Sequence, residues 1–183
     1  MKILLKILAG LAVLVLLLVL VAFLLPRQYR VERSVVIKAQ PDAVLAQVAM
    51  LPAWKAWSAW HQRDPQMKLA YSTQPTGVGA WASWESKQEG NGKMTITEQT
   101  PTTVIYRLEF PDLNMQSTGR LAVAPEAGGT RVVWSDAGDL GMNPLNRWFG
   151  LFLDKFIGPD FERGLANLKK LVEKSSAGRQ ITA

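Results

Sequence analysis

The chain has 183 residues, 48% of them hydrophobic, with 21 Lys+Arg against 15 Asp+Glu for a formal net charge of +6. That length suits one domain with a short appendage. The absence of cysteine excludes disulfide frameworks, thiolate metal sites, cysteine catalysis and a Cys-linked lipid anchor, and the single histidine argues against a His-based metal cage. No Lys/Arg cluster stands out, so nucleic acid is not expected as a partner, and the shortage of catalytic side chains leans against an enzyme.

Residues Ile7 to Leu25 form nineteen consecutive uncharged positions, nearly all Leu, Val, Ala or Ile. A bilayer core needs about twenty such residues at about 1.5 Å each, so residues 1–26 are expected to be an N-terminal transmembrane anchor. A cleaved signal peptide is the alternative. The run is longer than a typical signal core, and Ala22-Phe23-Leu24-Leu25-Pro26 offers no small-x-small cleavage site. Lys2 and Lys6 precede the run, while Arg27, Arg30 and Arg33 follow it. The two ends nearly balance under the positive-inside rule. A short basic N-terminus that stays inside would put the soluble domain on the outer, periplasmic side of the cytoplasmic membrane.

The rest is expected to be one α+β domain over 27–174, with a flexible tail over 175–183. Tyr29 to Ile37 alternates and is rich in Val, which predicts a strand. Pro41-Asp42 opens a helix with Val44, Leu45, Val48 and Ala49 at helical spacing. Pro52 to Trp60 is a short helix or turn carrying Trp54, Trp57 and Trp60, and His61 follows in a loop. Strands are then predicted over 67–72, 79–86, 93–98, 103–110, 116–124 and 130–136, separated by Gly/Pro/Asn turns. Hairpin-linked strands of this kind build an antiparallel sheet. From Leu145 the period changes, and Trp148, Phe149, Phe152, Phe156, Phe161, Leu165, Leu168 and Val172 recur at three and four. This predicts a long amphipathic helix kinked at Gly158-Pro159. A curved sheet covered by one long helix tends to leave a space between them, and such a space takes apolar ligands.

The chain resembles the START-like, helix-grip superfamily, and within it the membrane-anchored bacterial branch of the polyketide cyclase/dehydrase (SRPBCC) proteins. The resemblance rests on Pro41-Asp42-Ala43-Val44, Trp54-x-x-Trp57-Ser58-x-Trp60 and Asp64-Pro65. It continues through Gly77-x-Gly79-Ala80-x-x-x-Trp84, Gly92-x-Met94-x-Ile96, Gly129-Thr130-Arg131-Val132-x-Trp134 and Gly158-x-Asp160-Phe161-Glu162-x-Gly164-Leu165. It implies a curved antiparallel sheet wrapped around a long C-terminal helix. Lipid carriers, hormone receptors, aromatase/cyclases and chaperone activators share that fold, so the fold leaves the function open.

The expected ligand cavity is lined by Trp57, Trp60, Trp81, Met94, Ile96, Tyr106, Leu108, Phe110, Met115, Trp134, Phe161 and Leu165. All of these are also ordinary core residues, and Tyr106 is the expected polar handle. Trp148, Phe149 and Phe152 are alternatively suited to the membrane interface. The catalytic candidates His61, Glu98 and Asp136 are weak, because no nucleophile or metal set accompanies them. No metal or cofactor is expected. The expected partners are a hydrophobic small molecule or lipid and the membrane, with the oligomeric state left open. A non-catalytic binding domain is favoured over a cyclase or hydrolase acting in the same cavity. A tethered interaction module whose cavity is filled by its own Trp residues is the third alternative.

Overall fold

The computed structural model describes residues 2–180. An apolar helix comes first: α1 (Lys2–Leu24) has the length and composition to cross a membrane and leaves almost all of its side chains exposed. Strand β1 (Gln28–Ile37) follows after three residues, then α2 (Pro41–Ala49) with Pro41 in its first turn. A 3-10 turn (Leu51–Ala53) leads into two short helices, α3 (Trp54–Trp57) and α4 (Ala59–Arg63). His61 is therefore helical, not in a loop. Six strands then run in succession: β2 (Lys68–Tyr71), β3 (Trp81–Glu85), β4 (Gly92–Thr100), β5 (Thr103–Phe110), β6 (Met115–Glu126) and β7 (Gly129–Asp139). Helices α5 (Pro144–Gly150) and α6 (Leu153–Gln180) close the chain.

The seven strands form one antiparallel sheet in the order β1-β7-β6-β5-β4-β3-β2. Each strand pairs with its sequence neighbour except β1, which closes on β7. One face is apolar. Leu121 stands opposite Trp134, Tyr106 opposite Gly119 and Ile96 opposite Tyr106. This face is covered by α2, α3 and α4 together with α6, which runs mainly along β1. The fold is thus an α+β helix grip: a curved antiparallel sheet closed by a long C-terminal helix.

Helix α6 presents Leu153, Phe161, Leu165, Leu168 and Val172 to the core, at spacings a single helical face requires. Arg33 of β1 fastens its first turns, donating to Asp154 at 2.8 Å and to Glu162 at 2.6 Å. Its guanidinium crosses directly over Gly158, where any Cβ would overlap it. Farther along, the Lys169 ammonium donates to the Val36 carbonyl and Glu173 accepts from the Lys38 amide. Glu162 and Lys169 therefore tie helix to strand.

The expected kink at Gly158-Pro159 does not end the helix. Pro159 lies inside a continuous α6, and the interruption falls at Leu151 and Phe152. There the Leu151 amide donates to Trp148 and the Phe152 amide to Phe149, three residues back, which tightens and ends α5. The cause is a change of partner, since α5 packs on α1 and α6 packs on the sheet. Helix α6 continues through Gln180, so the helix extends into the segment read as a tail, while residues 181–183 of that tail lie outside the described residues.

The Tyr106 ring lies flat on Gly119 across the β5–β6 ladder, and a Cβ at that glycine would overlap the ring. Tyr106 is 2% exposed and has no room to move away. Gly119→Ala should therefore cost about 2 kcal/mol through overpacking. Urea denaturation checks this, and an unchanged midpoint would show that the ring is free to shift.

Candidate functional site

The grip between sheet and α6 is filled by aromatic side chains. Trp134 projects from β7 and stacks on Phe161 of α6, with ring centroids 4.1 Å apart and planes at 2°. Trp57 meets Trp134 edge-on at 5.3 Å, Trp60 at 5.8 Å and Trp54 at 5.6 Å. Trp54 also contacts Tyr106 edge-on at 5.4 Å. The three Trp residues come from α3 and α4, where spacings of three on successive helical turns aim them at the same strand. Trp54 was not among the expected lining residues, although its spacing to Trp57 carried the signal. Most of these geometries are the edge-on and stacked arrangements that aromatic quadrupoles favour.

Hydrogen bonding in this cluster is incomplete. Trp54 Nε1 donates to the Val48 carbonyl at 2.9 Å, and Trp134 Nε1 donates to the Tyr106 hydroxyl at 2.7 Å. The Tyr106 hydroxyl is thus buried in the cluster, with its oxygen already accepting. Trp57 is fully buried and its Nε1 has no acceptor among the described residues. Ser58 Oγ and His61 Nδ1, on the adjoining turn, are likewise buried without partners. A buried donor with no partner costs about 1–3 kcal/mol, so such a group requires an explanation.

The expected lining residues fall into three groups. Trp57, Met94, Ile96, Tyr106, Trp134, Phe161 and Leu165 share the buried core. Trp60, Leu108, Phe110 and Met115 are half-buried, and the strand register puts the last three on the inner face. With Trp84, which meets Phe110 edge-on at 5.9 Å, they form part of the rim of the grip. Trp81 belongs to neither group. It pairs with Thr95 on the outer face, and the Lys93 ammonium sits over its ring at 5.3 Å. Trp84 occupies the inward position instead.

The three acid/base candidates separate as well. Glu98 faces solvent because β4 carries a bulge between Ile96 and Glu98, which sets Glu98 opposite the outward Ile105. His61 makes no hydrogen bond with Asp64. Asp64 instead accepts from Ser86 Oγ at 2.6 Å and from the Gln66 amide at 3.0 Å, as a turn residue does. Burial and the nearby Lys55 charge push the His61 pKa down, favouring the neutral imidazole.

Asp136 is the one candidate on the inner face, 4% exposed. Tyr29 donates to one of its oxygens at 2.8 Å and Ser117 to the other at 2.9 Å. Burial pushes its pKa from the ordinary 3.8 up to about 6, although both hydrogen bonds act the other way. Among the described residues no group of three or more His, Asp or Glu could hold a metal. A separate cavity of about 160 Å³ lies where α1 joins the domain, lined by residues including Pro26, Tyr29, Leu140, Arg147 and Leu153.

A helix closing a curved sheet over an aromatic interior defines the class of the protein, a helix-grip domain. The chain belongs to the polyketide cyclase / dehydrase and lipid transport family, which it matches over residues 28–173. Solved structures are similar in fold at low identity. A structural-genomics protein from Mesorhizobium loti aligns with a TM-score of 0.56 at 16% identity, covering 81% of this chain and 98% of the other. A protein of unknown function from Staphylococcus aureus aligns with a TM-score of 0.61 at 13% identity, covering 82% and 96%. The di-domain ARO/CYC StfQ from the steffimycin biosynthetic pathway aligns with a TM-score of 0.62 at 13% identity, covering 82% of this chain and 52% of that one. A search of curated proteins finds no match.

The raised pKa of Asp136 has a defined stability consequence. A carboxyl more basic in the folded state than in the unfolded state stabilises the fold while protonated. That contribution is complete below pH 3.8 and is lost as the pH rises through about 6. In Asp136→Asn the amide oxygen can accept from Tyr29 and the amide nitrogen can donate to Ser117, without the titration. From about pH 4 to about pH 7 the variant should gain stability relative to the wild type, on the order of 3 kcal/mol. Chemical denaturation at the two pH values measures this, and an equal difference at both would disprove a buried, titrating Asp136.

Proposed function

We propose that the chain is a membrane-anchored domain that binds a hydrophobic small molecule or lipid in the grip between sheet and α6, without catalysis. In this proposal α1 spans the cytoplasmic membrane with its N-terminus inside, and the domain stands on the outer side. The supporting observation is the unpartnered Nε1 of Trp57, fully buried among aromatic rings. The Tyr106 hydroxyl accepts from Trp134, and no acceptor for its own hydrogen is found among the described residues. Two unspent donors inside an apolar enclosure suit a ligand that is mostly hydrocarbon or aromatic and carries an acceptor such as a carbonyl. Affinity would come from apolar burial, about 25 cal/mol per Å² before ordering costs. The half-buried rim of Trp84, Leu108 and Phe110 offers the route in, with the ligand displacing part of the aromatic packing.

The connection between β7 and α5, residues 140–143, is tied down. The Asn146 amide donates to the Leu140 carbonyl and Arg147 donates to the Gly141 carbonyl. Entry at the rim needs no movement there. A second proposal, cyclase-type chemistry, draws support from Asp136, a buried acid on the same face, and from the biosynthetic setting of StfQ. Both Asp136 oxygens are already engaged by Tyr29 and Ser117, which favours a structural role.

Native mass spectrometry of the full chain extracted in detergent tests the binding proposal. A co-purifying apolar molecule is expected, with Trp57→Phe binding it about fivefold more weakly through loss of one hydrogen bond. A clean unliganded mass for the folded wild type would overturn it and leave a domain closed by its own side chains. Turnover of the captured molecule that Asp136→Asn abolishes would replace binding with catalysis.

A further inference from the structure

The grip leaves one large apolar feature unexplained. Helix α5 and the start of α6 expose Leu145, Phe149, Leu151, Phe152 and Phe156 by half or more. Phe156 packs against Phe149 with centroids 5.6 Å apart and against Phe152 at 6.5 Å, so the side chains form a continuous ridge. The ridge does not face the domain, since Arg147 and Leu153 occupy the buried side of this elbow. A ridge of this kind on a soluble surface marks a docking site.

The ridge is continuous with α1. Trp148 Nε1 donates to the Leu18 carbonyl at 3.2 Å, and Arg147 donates to the Phe23 carbonyl at 3.1 Å and the Leu25 carbonyl at 3.4 Å. The Arg147 guanidinium also lies 5.4 Å from the centre of the Phe23 ring. A helix end leaves its last carbonyls without partners. In water the solvent satisfies them, but inside lipid a protein donor must do so. Arg147 is 7% exposed and spends its donors on the carbonyls of Phe23, Leu25 and Gly141 and not on a carboxylate.

The length of α1 fixes the depth. If α1 spans the bilayer, its uncharged run Ile7 to Leu25 extends about 28 Å, against a hydrocarbon layer of about 30 Å. No residue of the run is spare to stand above the lipid. Leu18, the acceptor for Trp148, precedes Leu25 by seven residues and lies about 10 Å deeper. The Trp148 indole therefore lies at that depth, while the adjacent Arg147 reaches the shallower Phe23 and Leu25 carbonyls, so α5 spans the outer part of that leaflet. Arg147 is the one charged side chain of α5 and it is turned toward α1, and the next charges, Asp154 and Lys155, stand in the first turn of α6, where Asp154 pairs with Arg33 of the domain.

We infer that the α5–α6 elbow is a second membrane element, inserted beside α1 into the acyl chains of the domain-side leaflet, with lipid tails covering the ridge from Leu145 to Phe156. This rests on α1 spanning the bilayer and is independent of what the grip binds. The domain is then held in one orientation.

The chain has no cysteine, so a single introduced thiol can carry a polarity-sensitive fluorophore. The full chain would be labelled as Phe149→Cys, Phe152→Cys, Leu14→Cys or Val78→Cys and reconstituted in phosphatidylcholine/phosphatidylglycerol vesicles. The vesicles would carry acyl-chain nitroxide lipids as quenchers. Leu14 reports on α1, and Val78, 70% exposed between β2 and β3, reports on the water-facing domain. Probes at Phe149 and Phe152 should be blue-shifted and quenched several-fold more than the probe at Val78, approaching that at Leu14. Elbow probes that behave like Val78 while Leu14 is quenched would overturn the inserted elbow and leave the anchor intact. An unquenched Leu14 would overturn the anchor and the elbow with it. Mass spectra of the same samples report ligand occupancy separately.

Discussion

The inner face of the sheet must be covered, and the stack of Trp134 on Phe161 joins sheet and helix at its centre. The rest of the interior is arranged around this contact. Trp54, Trp57 and Trp60 turn edge-on toward Trp134 because its face is already taken by Phe161. Tyr106 lies on Gly119 within reach of the Trp134 N–H. Arg33 holds the start of α6 at the distance the stack needs, passing over Gly158, the only side-chain-free position along that turn. An aromatic centre of this size is rigid yet polarisable, and it keeps its donors in fixed positions.

The elements were legible in the sequence wherever one partner decided them. Strand alternation and turn residues placed all seven strands within a few residues, and Pro41 marked the start of α2. Legibility failed where a distant or local irregularity intervened. Glu98 follows the inward parity of Met94 and Ile96 until the bulge reverses it, and nothing in Thr97-Glu98 announces that bulge. Trp81 and Trp84 are three apart in a strand, so only one of them can face inward, and composition does not choose between them. Gly158-Pro159 lies inside the continuous α6, whereas the chain turns earlier, at Leu151 and Phe152, where α5 leaves α1 for the sheet. That turn is a property of two packing surfaces and is invisible in a helical period that runs through both.

The site was legible in kind more than in detail. The Trp spacing pointed to an aromatic interior, and parity picked out Met94, Ile96, Tyr106 and Leu108. The unpartnered Trp57 nitrogen had no signature, since it depends on where each neighbouring acceptor is spent. The engagement of Asp136 by Tyr29 and Ser117 was equally hidden, because those residues come from three strands that the register alone brings together.

Leu25, Pro26 and Arg27 are the whole joint between α1 and the sheet, and it is pinned. Arg27 bonds Asp139 at 2.7 Å and its carbonyl accepts from the Leu140 amide at 2.8 Å. Three residues reach at most about 10 Å even when fully extended. A carrier that ferries cargo between two surfaces needs slack of many times that length, and a flexible tether would supply it. Here the interior cannot leave the neighbourhood of whatever holds α1. If α1 spans a membrane and the grip binds a ligand, as proposed, exchange with any donor or acceptor is limited to encounters in the plane of that membrane, at a height built into the chain.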